Sequence, residues 1–191
     1  SIEKIDIINM EEIFYKIYNK AYKKYSHLYI TTCPRCKNEC EFENSIWQKS
    51  RIQKLRGICF HCGPFKKNIN HNDSAKIKES SILLKKELSK NKNLFPQDKI
   101  LQYVKRSKKT HIHHLFTDRA LLILGSIRRD ISRIKDNKLR DLIWLIFSSM
   151  LPNVSKMIPG DIKSVNGKSG WVISKLWAPA LHTEKNIFLS F

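Results

Sequence analysis

Apolar residues recur at 10, 13, 14, 17, 18, 21, 22 and 25 in NMEEIFYKIYNKAYKKY. This spacing of three and four predicts an amphipathic helix over 9–25, with Glu11 and Glu12 at the end where the helix dipole favours acids. Tyr18, Tyr22 and Tyr25 lie on the apolar stripe and Tyr15 off it, so they are expected to be core residues rather than a base-stacking platform. The period then shortens. EFENSIWQ and RIQKLRGICF alternate through Phe42, Ile46, Ile52 and Ile58, which predicts a strand out, a turn and a strand back. Helical spacing returns in SAKIKESSILLKKELSK at 74–90, a basic helix with a thin apolar face. Pro96 is expected to open a shorter helix to about Val104. Leu121, Leu124, Ile127, Ile131 and Ile134 align on a helix over 118–135, with Thr117 or Asp118 as its cap. Leu139, Leu142, Ile143, Ile146, Phe147 and Met150 do the same over 138–151. Residues 152–170 read as loop and GWVISKLW at 170–177 as extended chain, and no internal repeat is visible.

The cysteines change this picture. Cys33/Cys36 and Cys59/Cys62 are two C-x2-C pairs with 22 residues between them. Each such turn sets two thiolates on one side of a tight knuckle, and two knuckles supply the four soft ligands of a tetrahedral zinc ion. The 22 intervening residues hold the two predicted strands, and Gly57 and Gly63 suit tight backbone at the second knuckle. A zinc ribbon is expected over 27–66, its zinc structural because four thiolates leave no open position. Cys40 and His61 are spare candidates. The fold class that follows is α+β, predominantly helical with a small β zinc ribbon inserted. The expected organisation is an N-terminal amphipathic helix at 1–26, the ribbon, a basic helical and linker region at 67–110, and a helical domain with an extended C-terminal segment at 111–191.

Charge narrows the partners. The 191 residues carry 36 Lys+Arg against 17 Asp+Glu, a net +19. Residues 67–110 contribute twelve basic against four acidic side chains. An excess this large favours a polyanion, and double-stranded DNA is the expected partner. No apolar run approaches the roughly 20 residues of a membrane span, and no basic amphipathic anchor is evident. The opening on Ser1 rather than Met fits a processed or excised chain, and the first residues carry no secretory pattern, so a cytoplasmic setting is expected.

Missing motifs exclude several chemistries. The chain has no glycine-rich cofactor fingerprint, P-loop, paired acidic motif or nucleophile elbow. His111, His113 and His114 form the one histidine cluster. On a strand, His111 and His113 would share a face and could bind metal, but basic-loop or helix-entry roles are the expectation.

HHLFTDRALLIL, then FSSMLPNVSKM, then SGWVISKLWAPALHTEKN, preceded by YITTCPRCKNEC and CFHCG, resembles zinc-ribbon-containing bacterial DNA methyltransferases of the adenine-specific N6 or N4-cytosine class. The patterns there are like H-x-L-F-T-x-R-N-L, S-x-L-x-x-x-S-K-M and S-G-x-L-Y-I-P-x-x-x-x-E-x-N. The likeness runs from about residue 11 to the end, departing at Ala120 and at WVISKLW. In that family the stretch lies between the S-adenosylmethionine-binding motif and the D-P-P-[YF] catalytic motif, neither of which is present. The resemblance therefore implies a target-recognition segment, not catalytic alone, with S-adenosylmethionine belonging only to the parent enzyme. It also implies a methyltransferase catalytic domain as partner, on the same polypeptide or a separate one. Gln48, Arg51, Gln53, Lys54 and Arg56 in the hairpin are the expected base-reading and neighbouring contacts, with Lys105, Arg106, Lys108, Lys109 and Arg119 on phosphates. The second reading is a zinc-stabilised protein-interaction module docking a nucleic-acid enzyme subunit.

Overall fold

A computed structural model describes residues 7–99, 111–160 and 178–190. Its first helix, α1 (Ile7–Tyr25), buries Ile17, Ala21 and Tyr25, the stripe its sequence predicts. Tyr18 and Tyr22 pack edge-on against Phe188, with ring centroids 5.9 and 5.2 Å away, so these tyrosines are packing groups. A 3-10 turn, Ser26–Tyr29, leads into β1 (Ile30–Thr32). Then come β2 (Glu39–Gln48), β3 (Arg51–Cys59) and β4 (Gly63–Asn68). Next is α2 (His71–Lys90), opened by an Asn70/Asp73 capping box, in which Asn70 accepts from the Asp73 N–H and Asp73 from the Asn70 N–H. Asp73 also accepts from Thr31 of β1 at 2.5 Å and pairs with Lys67 of β4 at 3.0 Å, which pins this helix end to the sheet.

The helical segment expected from Pro96 is not formed over 96–99, and 100–104 lie outside the described residues. Lys99 instead bridges to His111, a pairing that an α-helix would forbid. Helix α3 (Asp118–Ile131) is capped by Thr117, whose hydroxyl accepts from the Ala120 N–H. Every residue from Arg119 to Ile127 is buried, the mark of a central helix. Gly125 is required there, since a Cβ would sit 2.5 Å from Leu94 Cγ. Helix α4 (Asn137–Met150) starts on the Asp136 cap and buries Leu139, Ile143, Phe147 and Met150. That cap, with the turn at 132–136, ends α3 four residues before the expected boundary of 135.

The last strand, β5 (Leu181–Lys185), was not anticipated, and GWVISKLW lies outside the described residues. All pairings in the sheet are antiparallel. β3 lies between β2 and β4, while β1 and β5 follow one another along the other edge of β2, at 39–41 and 44–48. A single hydrophobic cluster joins α1, the sheet, α3 and α4. The α+β class is therefore observed, with four helices and five strands among the described residues. Among the described residues, no helix is long and apolar enough to cross a membrane.

Candidate metal centre

Two turns at one end of the β2–β3 pair bring the cysteines together. The first runs from Cys33 to Asn38, where the Cys33 N–H donates to the Asn38 carbonyl at 2.8 Å and the Lys37 N–H to the Cys33 carbonyl at 3.1 Å. The second links β3 to β4. Both place a residue with positive φ directly after the second cysteine: Lys37 at 66° and Gly63 at 73°. The two knuckles thus share one left-handed turn, which glycine accepts freely and lysine adopts at a cost. Gly57 answers a different need, because a Cβ there would lie 2.8 Å from the Glu41 carbonyl oxygen.

The sulfurs of Cys33, Cys36, Cys59 and Cys62 all lie within 4.8 Å of one another, and Cys36 and Cys59 are 3.6 Å apart. A disulfide needs about 2.05 Å. A tetrahedral ion with metal–sulfur bonds of about 2.3 Å spaces its ligands about 3.8 Å apart, so the set fits a metal ion. Burial opposes ionisation of Cys33, but the backbone N–H groups of Cys36 and Arg35, then the Cys36 and Cys59 thiols, bring its pKa down to about 6. Cys62 is pushed up to about 12 by hydrogen bonding to Cys36 and by burial. The Cys33 thiolate is thus favoured, while Cys62 holds a proton that a bound cation would displace. Cys40 stays outside the set, its thiol raised to about 11 by burial and then by the thiols of Cys59, Cys33 and Cys36. His61 is exposed, edge-on to Phe60.

At the opposite end of β2 lies a feature the sequence reading missed. Glu184 of β5 is 1% exposed, and its carboxylate accepts six hydrogen bonds. Arg119 grips it side-on, Nε to Oε1 at 3.0 Å and Nη2 to Oε2 at 2.7 Å. Thr117, Tyr29, Ser45 and Trp47 supply the rest. Arg119 also donates to the Leu28 carbonyl and lies 4.3 Å from the Tyr29 ring centre. Burial alone would raise the Glu184 carboxyl, but the Arg119 charge and these donors hold it below the usual range. Asn186, fully buried, donates to the Phe42 carbonyl and caps the last 3-10 turn.

The expected DNA contacts separate on this framework. Gln48 and Arg51 are exposed and face each other across the Lys49–Ser50 turn, whose φ angles of 47° and 67° match a tight hairpin. Gln53 and Lys54 are half-buried on β3. Arg56 is corrected as a base reader: it is 5% exposed, in the middle of the sheet between Asn44 and Lys66. Arg119 is corrected as a phosphate contact, being 3% exposed with its guanidinium committed to Glu184. Lys105, Arg106, Lys108 and Lys109 lie outside the described residues.

His111, His113 and His114 cluster, with ring centres 4.3 to 5.5 Å apart, at the 3-10 turn before α3. Burial, then His114, His111 and Lys156, lower the His113 pKa. Among the described residues, only the four cysteines form a group of three or more potential ligands whose donor atoms converge. Comparison with family models, with curated proteins and with solved structures gives no match to the chain.

Proposed function

We propose that the chain is the DNA-binding, target-recognition region of a DNA methyltransferase, held in shape by a structural zinc ion and inactive alone. The observation that carries the reading is a four-cysteine centre set in a chain with a net charge of +19. Zinc suits four thiolates because it is tetrahedral, borderline-soft and without redox chemistry. A reducing, cytoplasmic compartment keeps such thiols available. The placement of the likeness to methyltransferases supports the rest. Thr117, Arg119, Glu184 and Asn186, which stand in the runs that carry it, meet in or beside one buried knot. Those positions then preserve the fold, and recognition falls to exposed side chains. Gln48 and Arg51 at the hairpin tip have the reach and donors for base edges. The basic run Lys105, Arg106, Lys108 and Lys109 supplies phosphate contacts that fix register. Flipping and methylation of the target base belong to a separate catalytic part that carries S-adenosylmethionine.

Two calorimetric titrations test this. Zinc-loaded chain should release or absorb heat with duplex DNA and none with S-adenosylmethionine. Tight one-to-one binding of the cofactor would overturn the assignment as a non-catalytic region.

A further inference from the structure

In a C-x2-C knuckle the two sulfurs turn inward, so the two residues between them turn outward. In the second knuckle these are Phe60 and His61, and Phe60 is 96% exposed. Ile58, two residues earlier on β3, is 56% exposed, and Pro64 stands opposite it on β4. Three apolar groups therefore crown the cysteine end of the sheet, where a partner that covered them would remove apolar surface from water. Their rim is cationic. Arg35 and Lys37 of the first knuckle are exposed and donate to backbone carbonyls: Arg35 to Pro64 at 2.5 Å and Lys37 to Pro34 at 2.9 Å. Glu39 is the one acid in 33–40.

We infer that Phe60 is an aromatic wedge that stacks on a nucleobase, with Arg35 and Lys37 holding the flanking phosphates. This rests on the DNA-binding reading above and adds the contact by which it grips a base. The charge on the rim selects a polyanion over an apolar protein surface. A bare ring offers the π-face that bases stack on, and apolar wedges enter DNA where a step is unstacked. The knuckle also fixes the backbone that carries the ring, because the cysteines on both sides of it converge on one centre.

The consequence is a preference that charge alone does not produce. Wild-type, zinc-loaded chain should bind a duplex containing a mismatch more tightly than its fully paired counterpart, since an unpaired step opens more cheaply. Fluorescence anisotropy with both duplexes should show Phe60→Ala weakening binding to the mismatched duplex about 10-fold or more, on the scale of one lost stacked base. Its salt dependence should not change. Phe60→Trp should keep both affinity and preference. Zinc content and melting temperature of each variant exclude a folding effect, which the exposure of the side chain makes small. Equal affinity of wild type and Phe60→Ala for both duplexes, with salt-sensitive binding intact, overturns the wedge and leaves DNA binding standing. Absence of any duplex binding by wild type overturns both, and points the apolar crown toward a protein partner.

Discussion

Glu184 shows how far a residue's role can depend on a partner distant in sequence. Its carboxylate and the Arg119 guanidinium are both buried and come from segments 65 residues apart. Removing one member of such a pair strands the other, which costs about 3–5 kcal/mol. Glu184→Gln should therefore destabilise the chain by that amount at neutral pH, measured by denaturant unfolding. The pH dependence has a definite sign. The folded pKa is depressed, so the stabilisation is complete above the unfolded value of about 4.3 and is lost as pH falls through the folded one. The gap between wild type and Glu184→Gln should close in strong acid; a gap that persists there contradicts the ion-pair account. None of this was legible from Arg119, which reads as one more surface cation in a basic chain. The signal lay at the other end: Glu184 is the lone acid in residues 162–191. Arg56 was misread for a related reason. The irregularities between Phe42/Asn44 and Ile46/Trp47 break simple alternation across the β2–β3 pair, so its face cannot be counted from the sequence.

Among the elements, the existence of the β2–β3 hairpin was plain because two strand-like runs lie between the cysteine pairs, although Ile58, expected inward by alternation, is exposed. The pairing across β4 and β5 was hidden. β4 starts GPFKKN, with glycine and proline against a strand, and LHTEK in β5 buries polar rather than apolar side chains. These strands exist because neighbours supply the edge and the hydrogen bonds. The hairpin is consequently held at two ends by different means. The knuckle end has the four converging cysteines, which could hold a metal ion, whereas 44–48 is clamped by β5 and packs Ile46 and Trp47 inward. Cys59→Ser should abolish stoichiometric zinc by elemental analysis and lower stability, with on the order of 10 kcal/mol as the ceiling set by small zinc domains. Hydrogen exchange should show amides of 33–40 and 57–65 losing protection while 44–48 keep theirs. Full zinc content in that variant would refute the ligand set.

On the scale of the molecule, one apolar cluster joins helices and sheet, so the ribbon strands share the core of the helical part. Helical periodicity announced α1, α2, α3 and α4, while the sharing of one core could not be read from local pattern. What this framework carries outward is charge. Several acids are spent internally, on Lys67, Arg119, Arg129 and Lys20, yet the net excess remains +19. On the proposed reading the partner is duplex DNA, and neutralising about five phosphates would release their counterions on binding. The decisive measurement is the affinity of zinc-loaded chain for a duplex across a salt series. A log–log slope of roughly −4 to −5 is expected. Replacing Lys105, Arg106, Lys108 and Lys109 by alanine should weaken binding to every sequence alike and flatten that slope. Replacing Arg51 should instead cost about 1–3 kcal/mol on the preferred site alone. Binding that is absent, or indifferent to salt, would contradict the assignment of this chain to DNA.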